Sequence, residues 1–412
     1  MSTTIIKTHP ALANFTVVDD CLQIGGMALT ELAARVGRTP FYAYDRRLLD
    51  TRMAELRAAL PDEIAIHYAL KANPMPALVA HMAGLADGMD VASGGELKIA
   101  LDAGVPASDI SFAGPGKQVP ELCAAVASGI TINLESFLEL DRITDISQGL
   151  GIAARVAVRI NPDFELKASG MKMGGGPKVF GVDAEATPEL LRRIGQRGHH
   201  FTGFHIYTGS QNLRAAAICE AQAKSFQLAY RMAEHTPAPL RELNIGGGFG
   251  IPYFPGEEPL DLAPIGEGLA EHLHTVRDRL GATQVIIELG RYLVGEAGIY
   301  VAEVVDRKQS RGHVFVVTNG GLHHHLAASG NFGQVLRKNY PVVVGNRVLG
   351  NKREQATITG PLCTPLDLLA EKIEIARAEP GDLVVVFQSG AYGLSASPRG
   401  FLSHPEPVEA LV

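Results

Sequence analysis

The sequence predicts an α/β protein built on an eight-stranded TIM-like (β/α)8 barrel, with a C-terminal β domain of sandwich or barrel type. Three observations carry this expectation. Short apolar, β-prone runs alternate eight times with helix-like segments between Phe41 and Arg291. The chemically unusual residues stand at the ends of those runs rather than inside them. After Arg291 the alternation stops, and β-prone runs follow one another, broken by Gly, Asn and Pro. Alternation by itself also suits a doubly wound sheet; the number of repeats and their span favour the barrel. The expected domains are 42–290 for the barrel, and 1–41 with 291–412 for the β domain.

Before residue 40 lie short apolar runs and a helix, Leu29–Val36. A strand near Phe15–Val18 has no partner in the alternating region, so it is expected to return to the β domain. The barrel runs are Ile64–Leu70, Gly88–Val91, Ile110–Ala113, Ile130–Asn133, Ala154–Ile160, Phe201–Tyr207, Arg241–Ile245 and Gln284–Glu288. Helix-like stretches separate them, among them Met75–Leu85, Gly94–Ala103, Gln118–Ser128, Ser136–Ile146, Ala215–Glu234 and Ile265–Leu280. Lys167–Pro177, rich in Gly and Lys, interrupts the pattern after the fifth run and reads as a mobile loop. The later β runs are Val301–Val305, Val314–Val317, Pro341–Val344, Thr357–Thr359 and Leu383–Phe387.

Composition narrows the function. The chain has 412 residues, 46% hydrophobic and 20% charged, which suits a globular protein with a large core. A net charge of -7 with no basic run argues against nucleic acid or anionic membrane as partner. Met1-Ser2-Thr3-Thr4 leads into no apolar signal core, and no apolar stretch is long enough to span a bilayer; a cytoplasmic location is expected. Cys21, Cys123, Cys219 and Cys363 are widely spaced with no CxxC, which argues against a disulfide framework or a zinc site. His323-His324-His325 would diverge on a strand, and no carboxylate stands near them at metal-ligand spacing, so no metal site is expected.

The polar strand ends carry the chemistry. Ile64–Leu70 ends in Lys71, followed by Ala72-Asn73-Pro74, with Pro74 suited to the first turn of a helix. A lysine held beside apolar residues can act as an amine nucleophile toward an aldehyde cofactor; otherwise it is a solvated cap. Asp90, Gly114, Arg159 with Asn161, Tyr207 to Ser210, Gly246-Gly247-Gly248, and Glu288 with Arg291 stand at the other ends. In a barrel all of these meet on one face. Three glycines after a strand expose backbone N–H groups to a phosphate, or form a plain flexible turn. Glu288 can hold a pyridine nitrogen in its protonated form, and Arg291 can meet a phosphate or carboxylate; the alternative is a structural ion pair. Cys363, in a Gly/Pro-framed turn, is a structural cysteine or a reactive thiol. No GxGxxG or GxxxxGK[ST] pattern occurs, which argues against dinucleotide or nucleoside triphosphate binding.

Seven motifs in register resemble the fold-type III pyridoxal-phosphate decarboxylases, the family of diaminopimelate, ornithine and arginine decarboxylases. They are Tyr68–Asn73, Asp90–Leu97, Gly209-Ser210-Gln211, Gly246–Phe249, Glu288-Leu289-Gly290-Arg291, Gly360–Cys363 and Gly390-Ala391-Tyr392-Gly393. The resemblance implies pyridoxal 5'-phosphate as cofactor and a head-to-tail homodimer with two shared sites. It implies that Lys71 bonds to the cofactor as a Schiff base and that Glu288 pairs with the ring nitrogen. Ser210, Gly246, Gly247, Gly248, Gly290 and Arg291 would line the phosphate or nearby groups, and Tyr392 would contact the cofactor. Arg159 and Asp90 would support the ring side and Lys71. Cys363 would protonate the carbanion carbon across the dimer interface.

Three departures bear on the substrate. Tyr207 stands where the family has a ring-stacking His, and a phenol cannot become imidazolium. Thr364 follows Cys363 where diaminopimelate decarboxylases have Glu, and Ala327 sits where they have Arg. The distal group of diaminopimelate would lose charge-assisted partners, at about 1.5–3 kcal/mol each. Arg291, His324, Thr364 and Asp367 are the candidate substrate residues. The stretches around Gly320–His324, Ala328–Gln334 and Cys363–Leu369 resemble an exosortase-system-associated subgroup, and a related branch decarboxylates aminoacyl groups tethered to a carrier protein. The resemblance therefore implies decarboxylation of an amino acid or a carrier-tethered aminoacyl substrate. Diaminopimelate decarboxylase proper, a racemase on the same fold, and a non-catalytic homologue are the rivals.

Overall fold

The computed structural model describes residues 10–164, 171–172, 174–332, 334, 337–350 and 352–412. The loop expected at Lys167–Pro177 lies partly outside them, at 167–170 and 173. The chain divides into two compact units. Among the described residues, one holds those of 52–251 and 259–292; the other holds those of 10–51, 252–258 and 293–412.

The first unit is a closed parallel barrel. Its strands are β1 (Ile64–Ala69), β2 (Gly88–Val91), β3 (Ile110–Phe112), β4 (Thr131–Leu134), β5 (Arg155–Asn161), β6 (His200–His205), β7 (Glu242–Gly247) and β8 (Gln284–Leu289). Each pairs in parallel with the next. Closure comes from β8 against β1, with Val285 opposite Ile64 and Leu289 opposite Tyr68. Residues such as Ile66, Phe112, Ile132, Val158, Phe204, Leu243 and Ile287 are fully buried, as strands covered on both faces require.

Two of the connecting helices start on serine caps. Ser93 Oγ accepts from the Glu96 N–H at 3.2 Å, and Ser136 Oγ from the Glu139 N–H at 3.1 Å. Helix Thr187–Arg197 is sharply amphipathic, burying Leu190, Leu191 and Ile194. The barrel expectation therefore holds, and a doubly wound sheet is excluded by the β8–β1 pairing. Among the described residues no helix is long and apolar enough to cross a membrane.

The second unit is a mixed β-sheet. Its order is Val342–Val344, Leu383–Val386, Gly298–Ser310, His313–Thr318, Arg353–Thr359, Leu368–Ala376. The strand Phe41–Tyr44 also joins it, antiparallel to Gly298–Ser310 and parallel to Val408–Leu411. Val17–Val18 and Cys21–Ile24 form part of a small antiparallel sheet. Phe15, Leu22, Ile24 and Leu29 share one core with Phe41, Ile299, Val301, Val385 and Phe387, so the early residues fold onto the late ones. The histidine triplet is not on a strand. It lies in turns, and the His323 and His324 rings sit 3.6 Å apart instead of diverging.

Candidate active site

β1 ends where Tyr68 donates its hydroxyl proton to the Asn73 carbonyl at 2.7 Å, and Asn73 Oδ1 accepts from the Met75 N–H at 3.1 Å. These bonds close a 3-10 turn, Leu70–Ala72, that presents Lys71. The helix that follows begins at Pro76, not at Pro74. Gly290, just past β8, backs this turn. A Cβ there would lie 2.8 Å from that of Ala72, so only glycine lets the two segments meet.

Lys71 Nζ lies 3.2 Å from Glu288 Oε1, and His205 Nε2 lies 3.0 Å from Oε2 of the same carboxylate. The Lys71 side chain is 42% exposed, while Glu288 is 4% exposed. Burial alone would raise the Glu288 pKa. The Lys71 charge, the neighbouring His205 and Arg159 outweigh it and hold the carboxyl well below the usual carboxylate range. Glu288 is thus a buried, ionised acceptor beside a half-exposed amine.

Tyr207 flanks this pair. Lys71 Nζ stands 5.4 Å from its ring centre, and its hydroxyl is 2.9 Å from Ser210 Oγ. The glycine turn closes the same side. Asn244 Oδ1 accepts from the Gly246 N–H at 2.8 Å, and the β7–β8 register shifts between Asn244 and Gly247. Gly246 and Gly248 have φ of 72° and 76°; a Cβ on Gly248 would lie 2.3 Å from the Gly209 carbonyl. The backbone there stays bare and approachable.

Arg159, at the end of β5, donates to Glu135 Oε1 at 3.0 Å and lies against the Phe180 ring. Glu135 also accepts from the N–H groups of Gly114 and Gly181. Burial opposes its charge, but Arg159, Lys117 and these bonds pull its pKa below the ordinary value. Lys117 is buried and donates to Glu139 and to the carbonyls of Gly114 and Asn133. Asp90 accepts from the Ser111 hydroxyl and lies 3.5 Å from His67 Nδ1. Arg291 opens the short helix Arg291–Val294.

The structure therefore brings Lys71, Tyr207, Ser210 and Glu288 together, with the glycine turn against Tyr207. Sequence reasoning missed His205 and Glu135. Both are polar residues at the end of an apolar strand, the same signal that marked Lys71 and Glu288.

Five expected residues belong to the β unit. Cys363 is an exposed free thiol. Thr364 Oγ1 accepts from the Leu366 N–H at 3.3 Å. His324 is buried, with Nδ1 3.3 Å from the Tyr300 hydroxyl and Nε2 3.0 Å from the Pro405 carbonyl. Tyr392 has a φ of 52° and its ring lies 6.3 Å from that of Phe332. Asp367 is buried, and its carboxylate accepts two backbone N–H groups.

An amine at the mouth, an ionised carboxylate beneath it and a bare glycine backbone fit a ring with an aldehyde, a basic nitrogen and a phosphate tail. They define a barrel enzyme of the pyridoxal-phosphate class.

Residues 46–295 match the family described as pyridoxal-dependent decarboxylase, pyridoxal binding domain. The chain is 42% identical to an L-glutamyl-[BtrI acyl-carrier protein] decarboxylase of Niallia circulans, over 93% of this chain and 90% of that one. It is 35% identical to a diaminopimelate decarboxylase of Aquifex aeolicus, over 96% and 91%. The crystal structure of a diaminopimelate decarboxylase from M. jannaschii superposes with a TM-score of 0.88 at 26% identity, covering 98% of this chain and 93% of that one. The chain belongs to the pyridoxal-dependent decarboxylases: it is a carboxy-lyase acting on an amino-acid centre with pyridoxal 5'-phosphate as cofactor.

Proposed function

We propose that this decarboxylase acts on an aminoacyl group tethered to a carrier protein, with Lys71 holding the cofactor and Cys363 supplying the proton that replaces CO2. The observation that carries the substrate reading is the residue set expected at the distal end. Thr364 and Ala327 offer no charge where diaminopimelate would need it, and a neutral thioester or amide needs none. The similarity to a decarboxylase of L-glutamyl-acyl-carrier protein supports the same reading. Diaminopimelate itself is the second reading, favoured by the similarity to the Aquifex aeolicus enzyme.

When bound, pyridoxal phosphate supplies an electron-withdrawing ring that accepts the electron pair left by the departing carboxylate. Lys71 would anchor it through its side-chain amine. Glu288, kept ionised, would favour a proton on the ring nitrogen, with His205 3.0 Å from its other oxygen. Ser210, the Gly246–Gly248 backbone and Arg291 would hold the phosphate, and Tyr207 would take the place of the usual imidazole beside the ring. Arg159, held by Glu135, and Asp90 support the ring side.

Cys363 acts from the partner subunit of a homodimer in this reading, and Tyr392 contacts the cofactor; both roles rest on the family resemblance. A cytoplasmic location belongs to the same proposal.

Lys71→Ala tests the anchor. The variant loses the visible absorbance of lysine-linked cofactor and CO2 release together; full activity in it overturns the assignment.

A further inference from the structure

Asp367 stands four residues beyond Cys363 in a turn that is tied to itself. The Gly360 N–H donates to the Asp367 carbonyl at 3.2 Å, the Thr364 N–H to the Leu362 carbonyl at 2.8 Å, and the Asp367 N–H to the Thr364 carbonyl at 3.3 Å. The Asp367 carboxylate adds two further bonds. Oδ2 accepts from the Leu362 N–H at 2.8 Å, and Oδ1 from the Leu322 N–H at 2.6 Å. One oxygen therefore holds the peptide leading into Cys363, and the other holds a turn some forty residues earlier in the chain.

The packing leaves room for nothing else. A Cβ on Gly321 would lie 2.2 Å from Oδ1, and one on Gly360 would lie 2.4 Å from Oδ2. Two glycines thus seat one carboxylate, and Asp367 is only 2% exposed. A buried carboxylate with each oxygen on a backbone N–H is a fastening; a substrate ligand would keep an oxygen open.

We propose that Asp367 is a positioning residue for Cys363: it fastens the Cys363 turn to the Gly321-Leu322 turn and so fixes where the thiol is presented. This replaces the expectation that Asp367 meets the substrate. It rests on the reading of Cys363 as proton donor.

The test uses the full-length holoenzyme with Asp367→Asn. Asn keeps the shape but turns an NH2 toward one of the two N–H groups, so one bond is lost. The expected result is a kcat lower by roughly tenfold to a hundredfold with KM little changed. Alkylation of Cys363 by iodoacetamide, read by peptide mapping, changes by about threefold or more. Gly321→Ala, which crowds the same oxygen from the other turn, shifts both readouts in the same direction and replaces Asp367→Asn if that variant does not fold. In a Cys363→Ala background Asp367→Asn produces no further loss in kcat.

A KM rise in both backgrounds with Cys363 alkylation unchanged overturns the proposal and makes Asp367 a substrate ligand. If Cys363→Ala alone leaves rate and product intact, the proton-donor reading fails. The alkylation rate then decides the fastening by itself: a change supports it and no change overturns it.

Discussion

The barrel buries charge and the β unit mostly buries neutral polar groups. At the barrel's strand ends, Glu135, Arg159, Lys117 and Glu139 form one buried ionic network, and Glu288 is held ionised between Lys71 and His205. The β unit instead buries Tyr42, Tyr44, Tyr300, His323, His324, His325, Gln388 and Ser389. Tyr42 donates to the His324 carbonyl at 2.8 Å, and His325 Nε2 is 2.9 Å from Ser389 Oγ. Buried charge is costly unless paired, so a fold keeps it where a charged reactant must be met. Neutral networks fix shape without that cost; the turn bearing Cys363 is an exception in the β unit, fastened by the buried Asp367 carboxylate.

Two substitutions or titrations separate these regions. The largest effect belongs to Glu288→Gln, which keeps the shape and removes the charge. It should lower kcat by roughly a hundredfold to a thousandfold while cofactor still binds. Steady-state kinetics with a cofactor titration decide this; a kcat within twofold of the parent would show that the buried charge is structural.

The smaller effect is acid stability, and its sign follows from the pKa directions. Burial pulls His323 and His325 down to about 3 and His324 to about 4, from an ordinary 6.5. Such groups contribute stability that is complete above pH 6.5 and is lost as the pH falls, because the unfolded chain takes up the protons. Glu288 is also lowered, from 4.5, so its contribution is complete above pH 4.5 and lost only below it. Burial also lowers His199 and His272 of the barrel unit, so hydrogen exchange, corrected for its intrinsic pH dependence, should show peptides from Gly298–Thr318 and Arg353–Ala376 losing more protection than barrel peptides between pH 6.5 and 4.5, where the β unit's three histidines are shifted furthest. Simultaneous loss in barrel and β unit, only below pH 4.5, contradicts the contrast.

Much of this was legible in the sequence, for a physical reason. Parallel barrel strands are buried on both faces, so they read as short apolar runs, and a polar residue ending one announces the mouth. Lys71, Arg159 and Glu288 were found that way. His205 was hidden only because Tyr207 drew attention two residues later. The strand Leu368–Ala376 escaped because its exposed face carries Glu371, Lys372 and Glu374, with Lys372 at a φ of 51°. The pairing of Asp367 with Leu322 depends on turns meeting across the sequence, and no local pattern encodes that.

The central claim is a decarboxylase whose substrate carries a neutral, carrier-tethered distal end. CO2 release from the purified holoenzyme tests it directly, across free amino acids, meso-diaminopimelate and aminoacyl groups loaded on an acyl carrier protein. The account predicts fast release from a carrier-tethered aminoacyl substrate and little from diaminopimelate. Fast release from diaminopimelate, with none from any tethered substrate, would contradict it.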